Sequence, residues 1–131
     1  MKIKFYQVAE LDKNMKATIQ RTGKLGFTRE AAKKLKLETK RSADIGFNED
    51  DETDKSLYLA VYESDKGNFK VIRAGSYFYL NTKVLFDNLK INYLQGNIVF
   101  DMAAEDLGDQ IVYVLKRRAA KKGKEDIETN K

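Results

Sequence analysis

The groups in this chain best equipped for chemistry are cations. Residues 13–41 carry ten Lys or Arg (Lys13, Lys16, Arg21, Lys24, Arg29, Lys33, Lys34, Lys36, Lys40, Arg41) against Glu30 and Glu38, a local charge of +8. Cations gathered this way neutralise phosphates, and each phosphate neutralised on duplex DNA adds roughly 0.9 to the slope of log affinity against log salt. Lys16, Arg21, Lys24, Arg29, Lys33 and Lys34 are therefore expected to form a strand-and-helix patch for a polyanion. Tyrosines supply a second set. In 57–63, Tyr58 and Tyr62 share a strand face, and in 76–80 so do Tyr77 and Tyr79. Beside Lys70 or Arg73 such rings make a platform on which bases stack, at roughly 1–3 kcal/mol each. The plainer readings are a solvated lysine face and tyrosines packed under a helix or at a dimer interface.

Two absences narrow the chemistry further. The chain has no Cys, hence no disulfide, thiolate nucleophile or thiolate metal site. It has no His, the side chain used most often as general base and metal ligand. The acidic run NEDDETD at 48–54 lacks the Asp-x-Asp-x-Asp-Gly spacing of a calcium loop and reads as a solvated hairpin loop. Gly23-Lys24-Leu25-Gly26 lacks the order of a phosphate loop. No pair of carboxylates is spaced to work together. The expectation is a protein that is not an enzyme, with no cofactor and no metal.

Charge is also segregated along the chain. Residues 42–66 hold eight acids against Lys55 and Lys66, a local −6, and 116–131 hold seven bases against three acids. Such polarisation bears on partners more than the net charge of +5 does. The opening MKIKFYQVAELDK lacks the apolar run of a signal peptide, and no stretch approaches the roughly 20 apolar residues that span a bilayer. A cytoplasmic protein without membrane contact is expected.

The elements that must position these groups follow from apolar patterning. Strands are expected at 2–9, 16–21, 24–27, 43–47, 57–63, 69–73, 76–80 and 97–102. Residues 110–115 (QIVYVL) fit both periods, with a strand preferred. Thr28 is placed to cap a helix TREAAKKLKL with Ala31, Ala32 and Leu35 inward. Asn81 or Thr82 would cap a second, TKVLFDNL, with Leu85, Phe86 and Leu89 as its stripe. A shift of 54 lays Thr28 on Thr82, Ala31 on Leu85, Leu35 on Leu89, Leu37 on Ile91 and Ile45 on Val99, so a strands-helix-strand unit recurs. One domain over 1–115 and a mobile basic tail over 116–131 are expected.

With these residues laid out, GKLGFTREAAKKLKLETKRSADIGF (23–47) resembles the AbrB-type swapped-hairpin DNA-binding module. Gly23, Lys24, Leu25, Phe27, Thr28, Glu30, Leu35, Leu37 and Ile45 carry the likeness, with Thr28 where the family usually has Pro. The resemblance implies a DNA-binding dimer with contacts from Arg21, Lys24 and Arg29. Residues 56–89 resemble a PUR-type repeat, as in the related Whirly proteins, through the Lys66-Gly67-Asn68-Phe69 hairpin entering an apolar-basic strand. That resemblance implies single-stranded nucleic acid on a curved sheet.

The reading is an α+β domain, a strongly twisted antiparallel sheet of seven to nine strands with two helices. Its expected function is sequence-tolerant, non-enzymatic DNA or RNA binding, regulatory, as a homodimer. The alternative is a structural or protein-interaction module.

Overall fold

Alternation sorts the side chains of each strand between an inner and an outer face. In β1 (Lys16–Ile19), Ala17 and Ile19 are buried while Lys16 and Thr18 are not. In β4 (Leu57–Tyr62), Leu57 and Leu59 are buried and Tyr58 and Tyr62 are half-exposed. The remaining strands are β2 (Leu25–Phe27), β3 (Ser42–Gly46), β5 (Phe69–Ala74), β6 (Tyr77–Leu80), β7 (Ile98–Asp106) and β8 (Ile111–Arg117). A computed structural model, which describes residues 1–5 and 15–118, arranges all eight as a closed antiparallel barrel in the order β1-β2-β6-β5-β3-β4-β8-β7.

Closure corrects the expected fold class. The sequence pattern suggested an α+β sheet whose apolar face needs a covering layer. Instead the sheet covers itself, because β7 pairs with β1 from Lys16↔Asp101 to Ile19↔Ile98 and β4 pairs with β8 from Leu57↔Leu115 to Leu59↔Tyr113. The helices α1 (Arg29–Leu35) and α2 (Lys83–Asn88) have seven and six residues. At 1.5 Å per residue each is only about 10 Å long, too short to cover a sheet face. They plug the ends instead. The chain leaves β2 for α1 and enters β3 at the same end, and it leaves β6 for α2 and enters β7 at the other.

With eight strands a barrel interior is just wide enough to be filled by side chains. Ile19, Leu25, Leu59, Leu80 and Leu115 fill it, closed by Leu35 and Leu37 at the α1 end and by Phe86 at the α2 end. With these side chains filling the middle of the barrel, the outer wall and the two ends are where a ligand has access.

Thr28 caps α1, its hydroxyl accepting from the Ala31 N–H at 3.2 Å. Thr82, the expected cap of α2, makes no such bond. Buried, it donates its hydroxyl to the Gly23 carbonyl at 2.9 Å and ties α2 to the β1–β2 turn. Among the described residues the two non-glycine positions with positive φ are Lys36 (φ 55°) and Lys90 (φ 58°), each just after a helix and 54 residues apart.

Other details depart from the sequence pattern. Residues 1–5 form no strand, and 6–9 of the expected 2–9 strand lie outside the described residues. On α2 only Phe86 of the expected stripe is buried, while Leu89 is 50% exposed and Val84 75%. β8 runs on to Arg117, so the first two residues of the expected tail are strand, and 119–131 lie outside the described residues. Among the described residues no helix is long and apolar enough to cross a membrane.

Candidate nucleic-acid interface

On the outer wall β2 meets β6 through Leu25↔Leu80 and Gly26↔Tyr79, and β6 meets β5 through Ile72↔Tyr79 and Ala74↔Tyr77. The outward residues across these strands are Gly26, Tyr77, Tyr79, Ile72 and Lys70. Gly26 is required here. A Cβ at this position would collide with the Tyr77 hydroxyl, so the missing side chain is what lets the tyrosine lie flat against the strand. Gln20 donates its side-chain amide to that hydroxyl and pins the ring. Tyr77 and Tyr79 stack with centroids 5.9 Å apart and 27° between planes. Lys24 adds its ammonium 4.7 Å from the Tyr79 centroid, a contact worth about 0.5–1 kcal/mol at an exposed site. Burial pushes the Tyr77 hydroxyl pKa up, so it stays a neutral donor and acceptor.

The wall runs into a second feature at the α1 end. Ser76, the residue before Tyr77, lies at the lip of a cleft of about 380 Å³ lined by Arg29, Lys33, Lys36 and Arg73, with Thr39, Ala32 and Phe78. The Arg73 guanidinium sits 5.3 Å from the Phe78 centroid and donates its Nε–H to the Gly75 carbonyl at 2.7 Å. The single carboxylate at this cleft is Glu38. Among the described residues, none of Arg29, Lys33, Lys36 and Arg73 makes an ion pair. A concentration of cations with a single carboxylate among them attracts an external anion.

The twelve residues singled out in sequence thus fall into separate groups. Lys24, Tyr77, Tyr79 and Lys70 share one stretch of wall, and Arg29, Lys33 and Arg73 share the cleft beside it. Lys16 stands on the neighbouring β1, and Lys34 is exposed on α1 without lining the cleft. Arg21 lies in the β1–β2 turn at the far end, away from α1. Tyr58 and Tyr62 do not join the platform. Their strand is three steps round the barrel from β6, about 14 Å away at 4.7–4.9 Å per step. Both are held by carboxylates. Tyr58 donates to Asp54, and Tyr62 donates to Asp44 at 3.1 Å. Residues the sequence did not single out are Lys36, Ser76, Thr39, Gln20 and Ile72. Lys36 joins the cleft because its left-handed backbone turns the chain at the end of α1, and composition carries no sign of that.

The acidic loop 47–56 springs from the α2 end, between β3 and β4, opposite the cleft. It is organised by its own side chains. Asp54 accepts from Tyr58, from the Ser56 N–H and from Asn48, and these bonds hold its carboxyl well below the usual range. Among the described residues no cluster of carboxylates is arranged to hold a metal ion.

No family model, curated protein or solved structure matches this chain. The functional reading therefore rests on the geometry.

Proposed function

We propose that this protein binds single-stranded nucleic acid, DNA or RNA, without catalysing a reaction on it. The observation that carries the reading is the stacked Tyr77–Tyr79 pair on an outer wall, flanked by Lys24 and Lys70 and continuous with four cations at the α1 end that make no ion pair with a described residue. Aromatic faces offer stacking to any base, and cations beside them follow the phosphates, so binding of this kind tolerates sequence. The acidic loop, placed at the opposite end, gives the strand an orientation by repelling it there. The likeness of 56–89 to PUR-type repeats points to the same ligand, while that of 23–47 to swapped-hairpin modules points to nucleic acid in duplex form. A cytoplasmic, regulatory homodimer is the biological setting this reading gives the protein.

Titration of the full chain into labelled single-stranded and duplex oligonucleotides, followed by fluorescence anisotropy at low salt, tests the reading. Binding of the single strand in preference to the duplex supports it. An absence of binding to either refutes it.

A second reading, a protein-interaction module, is favoured by one observation. Around α2, Phe47, Val84, Leu89 and Leu94 expose large apolar side chains beside a groove floored by Leu85, Ile91 and Phe100. A partner that co-purifies through high salt and is lost on Leu89→Asp would support it.

A further inference from the structure

We propose that the cleft at the α1 end is a phosphomonoester site that takes the terminal phosphate of a single strand lying on the Tyr77–Tyr79 wall. The inference rests on the single-strand reading above and adds to it which part of the strand is recognised.

Arg29, Lys33, Lys36 and Arg73 face one carboxylate, Glu38, so the cleft carries more positive charge than a backbone phosphodiester, a monoanion, can balance. A phosphomonoester carries about −1.5 to −2 at neutral pH and is the better electrostatic match. Two of the four cations are arginines, whose planar fork meets two phosphate oxygens at once. Arg73 is held in place, its face against Phe78 and its Nε–H on the Gly75 carbonyl, which leaves its terminal N–H groups available. Lys36 is fixed by its left-handed backbone, with its N–H returned to the Ala32 and Lys33 carbonyls. The Ser76 hydroxyl makes no hydrogen bond to a described residue and stands at the lip as a further donor.

Charge favours a strand end over a strand interior, and the cleft adjoins the wall on which such a strand would lie. Ser76 lines the cleft together with Ala32 and Phe78. Ser76 and Tyr77 are consecutive, about 3.8 Å apart at Cα, and Tyr77 turns to the outer wall while Phe78 turns inward. A nucleotide stacked on Tyr77 thus has its sugar beside the lip and its terminal phosphate in reach of the cleft.

The test compares labelled oligonucleotides of one sequence carrying a phosphate at the 5′ end, at the 3′ end or at neither, titrated with the full chain at fixed salt. One of the two phosphorylated strands is expected to bind tighter than the hydroxyl-ended strand by on the order of ten-fold, the effect of one or two charge-assisted hydrogen bonds. In Lys33→Gln and Arg73→Gln the ratio of the two affinities should fall to about one, whatever affinity the hydroxyl-ended strand itself loses. Both residues are exposed, so the fold should tolerate these changes. A second measurement uses the unaltered protein. Millimolar inorganic phosphate should lower the affinity of the phosphorylated strand more than that of the hydroxyl-ended strand and erase its advantage, whereas chloride at the same ionic strength should preserve it. Equal binding of all three strands overturns the terminal-phosphate site and leaves the single-strand reading standing. Failure of all three to bind overturns both.

Discussion

Removing Lys24 and Lys70 together should flatten the salt dependence of strand binding by a predictable amount. Six cations border the proposed path, Lys24 and Lys70 on the wall and Arg29, Lys33, Lys36 and Arg73 at the cleft, and none is in an ion pair with a described residue. For single strands log Kobs falls by about 0.7 per phosphate neutralised for each decade of salt. On a hydroxyl-ended strand, with one phosphodiester neutralised per cation, six contacts give a slope near −4, or roughly a 300-fold loss of affinity between 50 and 200 mM salt. Lys24→Ala/Lys70→Ala leaves about four contacts, a slope near −2.8 and a loss of roughly 50-fold over the same interval. A change that merely loosened the fold would lower affinity at every salt and leave the slope alone. Fluorescence anisotropy at four or more salt concentrations reads the slope directly. Lys55→Ala, in the acidic loop at the α2 end, is the control and should not change it. Equal slopes for the unaltered protein and the Lys24/Lys70 variant, or equal flattening by the control, would refute the proposed path.

Other consequences can be checked separately. Tyr79→Ala should weaken single-strand binding by roughly 5–150-fold, the worth of one stacked base, whereas Tyr58→Ala should leave it unchanged; equal effects in anisotropy titrations would remove the distinction between the two walls. Gly26→Ala puts a methyl group where the Tyr77 hydroxyl lies, so the ring should swing off the wall. Near-ultraviolet circular dichroism should change and strand binding should fall, with the barrel still folded. Thr82→Val leaves the Gly23 carbonyl without its buried donor and should cost about 1–3 kcal/mol in urea unfolding. Asp54 has a folded-state pKa depressed by its hydrogen bonds to Tyr58, Ser56 and Asn48, so its contribution is present above the unfolded value of about 3.9 and is lost as pH falls through the lower folded value. The stability advantage over Asp54→Asn should therefore hold from pH 7 to 5 and shrink below about pH 4. A constant difference down to pH 2 would contradict the assignment.

Local order was legible in the chain and global order was not. The alternation in LYLAVYE and the turn residues around Gly67 and Gly75 mark β4, β5 and β6, and Thr28 can be read as a helix cap, because these depend on neighbours in sequence. Gly67 shows how tight such a turn is, since a Cβ there would stand 2.7 Å from the backbone of Ala43. Barrel closure depends on Ile19 meeting Ile98 and Leu57 meeting Leu115. Pairings that distant leave no mark in a period-2 pattern, and a twisted sheet with covering helices satisfies the same pattern. The misplacement of Tyr58 and Tyr62 has the same origin. Alternation says which residues share a face of their own strand, not which strands become neighbours. The split of Arg21 from Arg29 follows from β2, which lies between them and carries the chain from one end of the barrel to the other.

Ultraviolet crosslinking of a labelled single strand to the full chain, with the attached peptides identified by mass spectrometry, tests the central claim most directly. Crosslinks are expected on the peptide holding Tyr77 and Tyr79, with secondary attachment around α1. Crosslinks confined to the Tyr58–Tyr62 strand, or to the apolar groove beside α2, would contradict it.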